Sequence, residues 1–179
     1  DIDTTFSRIC VVIPAFKVKF HILDVIRSIG PEVQKIIVVD DKCPEKTGDH
    51  LKSNSKDLRV EVIFNKTNLG VGGSVKAGYK RALELDFDII VKVDGDGQMD
   101  PSLISELVAP ISAGQADYVK GNRFINIDQV ISMPKVRLFG NIALSFLTKL
   151  SSGYWEIFDP NNGFVAISKK TFELIPTRK

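Results

Sequence analysis

From its start to about residue 120, this chain alternates short runs rich in Val and Ile with longer stretches of helical spacing. That alternation restricts the fold more than any other feature. Parallel strands cannot be joined by a tight turn, so strand, crossover helix and strand repeated in this order build a parallel sheet. The spacing predicts strands over 9–13, 35–39, 59–64, 88–93 and 117–120, and helices over 20–29, 45–53, 71–85 and 101–113. The strand runs are apolar almost throughout, as expected where helices cover both faces of a sheet. The fold class is therefore α/β, with a mostly parallel central sheet and helices on both faces. Beyond 121 the pattern changes to a polar loop (122–132), a helix near 134–150, a short strand over 163–167 and a fresh helical start at Ser168.

An open parallel sheet binds ligands beyond the carboxyl ends of its strands. The first predicted strand is followed by Pro14, Ala15, Phe16 and Lys17. After the second come Asp40 and Asp41, after the third Asn65 to Asn68, after the fourth Asp94 to Gln98, and after the fifth Gly121 to Arg123. Four of these five ends carry acidic, amide or guanidinium groups, a concentration that marks a site. Asp94 and Asp96 flank Gly95, which is expected to let the chain turn so that both carboxylates and the Gln98 amide oxygen face one point. Hard oxygen donors of this kind suit Mg²⁺ or Mn²⁺, and the other reading of the stretch is a solvated turn. Asp100, just before Pro101, is expected only to cap the helix that the proline starts. A calcium-binding helix-loop-helix fails, because its sixth and twelfth loop positions would be Met99 and Ser105.

The run from Asn68 to Ser74 is rich in glycine and opens a helix. It is either a turn that brings backbone donors to a phosphate or the start of a closely packed helix. Val75 stands where a dinucleotide fingerprint needs glycine, and Val75-Lys76 where a P-loop needs Gly-Lys, so both patterns fail. Asn68, Gly72 and Lys76 are its ligand-binding candidates. Asp40 and Asp41 either accept hydrogen bonds from a ribose or base, or serve the turn. Arg123 and Arg137 have the fork that matches phosphate oxygens, and each is otherwise a surface arginine.

The 24 Lys and Arg against 22 Asp and Glu leave a net charge of +2, too balanced for a nucleic-acid binder that relies on bulk charge. Two cysteines, Cys10 and Cys43, form neither a disulfide framework nor a metal-binding spacing, and are expected to be reduced thiols. No apolar run reaches the roughly 18 residues of a membrane span.

The segments VVIPAFK, IIVVDD, NLGVGGSVKAGYKRAL, VKVDGDGQMDP, KGNRF and FDPNNGFVAI, in this order, resemble family 2 glycosyltransferases of the GT-A (Rossmann-like) fold. Within them the chain is most similar to polyprenyl-phosphate (dolichyl-phosphate-type) sugar transferases and bacterial surface-polysaccharide enzymes. The resemblance implies one catalytic domain over 1–179, cut before C-terminal membrane helices, at the cytoplasmic face of a membrane. It implies a nucleoside-diphosphate sugar donor and a polyprenyl-phosphate acceptor, the alternative being a glycan hydroxyl. Pro14 and Ala15 would begin the nucleotide-contacting loop, and Asp41 would hold the base or ribose. Asp94 and Asp96 match the DxD motif, Asp96 and Gln98 its metal ligands, Arg123 a phosphate-facing arginine, and Asp159 the acidic residue near the acceptor. Asn162 departs from the Ser or Thr common before Gly-Phe. A non-catalytic nucleotide-sugar binding module would keep Asp41 and Asp96 without transfer. A nucleotidyltransferase would need a Gly-rich basic loop where Pro14 to Lys17 stand. The apolar helix near 134–150, flanked by Lys135, Arg137 and Lys149, is either core or a membrane-surface contact.

Overall fold

The computed structural model describes residues 7–121 and 163–174. The chain divides into two compact units, residues 1–119 with 164–179, and residues 120–163. The first carries the sheet, with strands β1 (Ile9–Ala15), β2 (Lys35–Asp40), β3 (Val60–Phe64), β4 (Ile89–Lys92), β5 (Tyr118–Lys120) and β6 (Val165–Ser168). Their order across the sheet is β3-β2-β1-β4-β6-β5. β1 runs parallel to β2 and β4, β2 parallel to β3, and β4 antiparallel to β6. The sheet is thus mostly parallel, with an antiparallel return at β6. Of the second unit, the end of β5 and the glycines at its two boundaries are described.

Alternation along each strand sorts the core into two layers. Val11 and Ile13 of β1, Ile36 and Val38 of β2, and Val91 of β4 face helices α1 (Ile22–Arg27), α2 (Thr47–Asn54) and α4 (Ile104–Ser112). Cys10, Val12, Ile37, Val39 and Ile90 face α3 (Gly70–Glu84), with Phe172 of α5 (Lys169–Leu174) packed on the same layer. α3 lies close on the sheet because Gly78 has no side chain. A methyl group there would overlap Val12 and come within 3.2 Å of Val39.

Most predicted elements fall within two residues of those observed. The helix expected over 101–113 begins as a 3-10 turn, Pro101–Leu103, capped by Asp100. α1 starts at Ile22 and not at 20, since Phe20 is 83% exposed and the first buried side chain is Ile22. Val71, the apolar residue that opens the helix expected over 71–85, is 62% exposed, and Ser74 is buried in that turn. No described helix is long and apolar enough to cross a membrane. The polar loop over 122–132 and the helix expected near 134–150 lie outside the described residues.

Candidate active site at the carboxyl edge of the sheet

β1 ends in Pro14 and Ala15. The Ala15 carbonyl accepts the Asp41 amide at 3.1 Å, so alternation turns Pro14 toward β4, whose pairing with β1 has ended at Val12. The missing donor of the proline therefore breaks no ladder. The next residues, Phe16 to Val18, curl over the sheet edge. Their loop is tied down by the Lys17 amide, which donates to Cys43 Sγ at 3.1 Å. Cys43 is buried, and burial works against its thiolate. Hydrogen bonds from the Thr47 hydroxyl and the Lys17 amide outweigh that and lower its pKa.

The acidic pair after β2 divides its work. Asp40 continues the alternation toward the α2 layer, where it accepts the Cys43 amide at 2.7 Å and the Gly48 amide at 2.6 Å. Its carboxylate fixes the turn into α2 and does not line the cleft described below. Asp41 points the other way, toward α3. Its Oδ1 accepts the Leu69 amide and the Asn65 side-chain amide, both at 2.8 Å. Asn65 also donates to the Ser74 hydroxyl at 3.1 Å. Asp41 is 3% exposed, and burial alone would raise its pKa. The Leu69 amide, Asn65, Ser74 and the Gly70 amide together outweigh burial and hold it below the ordinary carboxylate value. Ser74 is a part of the site that sequence reasoning did not single out, and Asn65 was marked only as a strand-end residue, without this role. The available signals were an amide at a strand end and a serine on the apolar stripe of a helix.

After β4, Gly95 and Asp96 form the turn, and Gly97, whose φ is 76°, follows it and leads to Gln98. Gly95 also has a packing role at this turn. A Cβ there would stand 3.0 Å from Val18 and 3.2 Å from Ile22, so Gly95 lets the loop settle on the core. Asp94 Oδ1 accepts the Lys92 ammonium at 2.5 Å, with Lys92 12% exposed at the side chain. Asp96 Oδ1 accepts the Gln98 amide at 3.1 Å. Asp100 accepts the Ser102 amide at 3.0 Å and its hydroxyl at 2.7 Å, which is the capping role expected of it.

Pro14, Ala15, Phe16, Val18, Asp41, Val71, Ser74, Asp94, Gly95 and Asp96 line one open cleft of about 150 Å³. The structure thus brings together Pro14, Ala15, Asp41, Asp94 and Asp96. Gln98 sits on the adjoining turn. Asn68 accepts the Gly70 amide at 3.0 Å and shapes the entry to α3. Gly72 has open space where a side chain would be, so it serves no close packing. Lys76 is exposed on α3 and does not line the cleft. Arg123, Arg137 and Asp159 lie outside the described residues.

No group of three His, Cys, Asp or Glu able to hold a metal occurs among the described residues. The donor set at the cleft still fits a hard divalent ion. Two carboxylates with an amide oxygen on the neighbouring turn are few protein ligands, and Mg²⁺ and Mn²⁺ usually complete their shells with phosphate oxygens and water. One of the two carboxylates, Asp94, already has a cationic partner in Lys92.

The family model described as glycosyl transferase family 2 matches residues 10–175. A UDP-N-acetylglucosamine–dolichyl-phosphate N-acetylglucosaminyltransferase of Methanococcus voltae is 32% identical over 93% of this chain and 72% of that protein. An undecaprenyl-phosphate mannosyltransferase of Micrococcus luteus is 31% identical over 72% of this chain and 56% of its own length. Among solved structures, glucosyl-3-phosphoglycerate synthase of Mycobacterium tuberculosis in complex with Mn²⁺, UDP and glucosyl-3-phosphoglycerate superposes with a TM-score of 0.66. It is 22% identical, and the match covers 92% of this chain and 57% of that one. The chain therefore spans a little over half the length of two of these three proteins, and the shared fold is GT-A. With the sheet order, the carboxylate cleft and the family match in agreement, the chain belongs to glycosyl transferase family 2.

Proposed function

We propose that this protein moves a sugar from a nucleoside-diphosphate sugar to a polyprenyl phosphate by a single inverting displacement, at the cytoplasmic face of a membrane. The observation that carries the reading is the meeting of Asp41, Asp94 and Asp96 in one cleft at the carboxyl edge of a parallel sheet. Asp41 is a fixed, ionised acceptor for the donor's base or ribose, since its neighbours hold it charged even though it is buried. Phe16 and Val71 give the cleft apolar walls that a base can lie against.

Asp94, Asp96 and Gln98 would hold a Mg²⁺ or Mn²⁺ ion, which when bound would stabilise negative charge on the departing diphosphate. The open space above Gly72 lets the start of α3 approach the donor with its backbone. A lipid phosphate is already an anionic nucleophile, so no strong base is required. Arg123 and Arg137 are assigned to position it. Asp159 becomes necessary if the acceptor is a sugar hydroxyl, whose proton must be removed.

The names of the two relatives, both acting on polyprenyl-type lipid phosphates, support this acceptor class. Thermal-shift titration with a panel of nucleotide sugars, with and without Mn²⁺, tests the donor half of the proposal. A metal-dependent shift with one of them is expected. The absence of a shift with any nucleotide sugar would sink the reading.

A further inference from the structure

Four non-glycine residues of the described chain hold a left-handed backbone, and three of them are lysines: Lys17 at φ 57°, Lys42 at 52° and Lys46 at 52°. Glycine, asparagine or aspartate is the usual occupant of that conformation, because a longer side chain is strained there. Local preference is given up three times on one edge of the molecule, where β1 and β2 end. The Lys17 amide bonds Cys43 Sγ, and the Cys43 carbonyl accepts the Lys46 amide at 3.0 Å, so the two loops form one surface. Lys19, partly exposed, follows in the first of these loops. Phe20 beside it is 83% exposed, and Phe16, under the Lys17 ammonium, is 41% exposed. Asp40 and Asp41 are buried, which leaves Glu45 as the exposed carboxylate of these loops.

We infer that this rim of the cleft docks onto an anionic lipid bilayer, with the lysines at headgroup phosphates and Phe20 in the interface beneath them. Cations alternating with an exposed aromatic match a surface that is anionic outside and apolar below. A soluble anion would engage the lysines and offer Phe20 nothing. The inference rests on the lipid-phosphate reading of the acceptor, which would then reach the cleft from the surface that the protein sits on.

Flotation with vesicles of phosphatidylcholine alone, or mixed with phosphatidylglycerol, tests it on the chain, on the double variant Lys42→Gly with Lys46→Gly, and on Phe20→Ser. Glycine relieves the left-handed backbone, so the double variant should keep or gain thermal stability. Each charge lost near an anionic surface weakens partition about fivefold, which predicts a fall of about 25-fold for the pair. Phe20→Ser should also bind more weakly, with its fold unchanged. Equal partition of the double variant and the wild type, or wild-type binding no stronger to mixed than to neutral vesicles, overturns the inference. Nucleotide-sugar binding is followed on the same samples. Donor binding without vesicle binding refutes the docking alone, whereas a wild-type chain that binds no donor overturns the functional reading and this inference with it.

Discussion

Replacing Asp41 by alanine should cost stability by an amount that depends on pH in a defined direction. The substitution removes an acceptor that is 3% exposed and holds the Leu69 amide and the Asn65 side chain at 2.8 Å each. Hydrogen bonds to a charged group contribute roughly 1.5–3 kcal/mol, and the orphaned donors can recover part of that through water, so a loss of about 2–4 kcal/mol at neutral pH is expected. Because the folded pKa of Asp41 lies below its ordinary value of 3.8, this contribution is fully present above 3.8. It is lost as pH falls through the lower folded value. Urea unfolding of both proteins across a pH series measures the gap between them. The gap should hold constant down to the ordinary carboxylate range and narrow only below it. Closure at higher pH would mean that burial outweighs the hydrogen bonds, and the reasoning about this carboxylate would be wrong.

Other substitutions separate packing from binding. Gly78→Ala forces a methyl group onto Val12 under α3 and should destabilise the fold by about 1–3 kcal/mol in chemical denaturation, in spite of the better helix propensity of alanine. Gly72→Ala, six residues earlier in the same helix, meets open space and should raise stability by about 0.5–1 kcal/mol while weakening donor affinity in calorimetric titration. Unchanged affinity would show that the donor does not use that opening. Asp100→Ala removes the cap on Ser102 and should cost about 1 kcal/mol of stability with donor binding intact.

The sheet was legible because its strands are apolar on both faces, and two layers of helices are what such strands require. Helix limits were less so. Phe20 satisfies the apolar spacing of α1 yet stands in solvent, and Val71 satisfies that of α3 yet lines a cleft, because spacing records which residues share a stripe and not where the stripe leaves the core. In the site, the carboxylates after β2 and β4 were visible as strand-end residues. The division of Asp40 from Asp41 follows from the alternation of β2, which sends one toward α2 and the other toward α3. The partners of Asp41 were not visible, since Asn65 and Leu69 lie 24 and 28 residues along the chain and meet it only once β3 and α3 are in place. The left-handed angle at Gly97 was not legible either, because an Asp-Gly-Asp-Gly stretch offers that angle at either glycine.

The central claim is that the cleft of Asp41, Asp94 and Asp96 binds a nucleotide sugar with a divalent ion and passes the sugar to a lipid phosphate. The direct measurement is transfer of labelled sugar from a nucleotide sugar into an organic extract containing polyprenyl phosphate, with and without Mn²⁺, for the wild type and for Asp96→Ala. The account predicts Mn²⁺-dependent labelling of the lipid by the wild type, and loss of that labelling in a variant that remains folded. A folded Asp96→Ala protein that transfers as fast and with the same dependence on Mn²⁺ would contradict it.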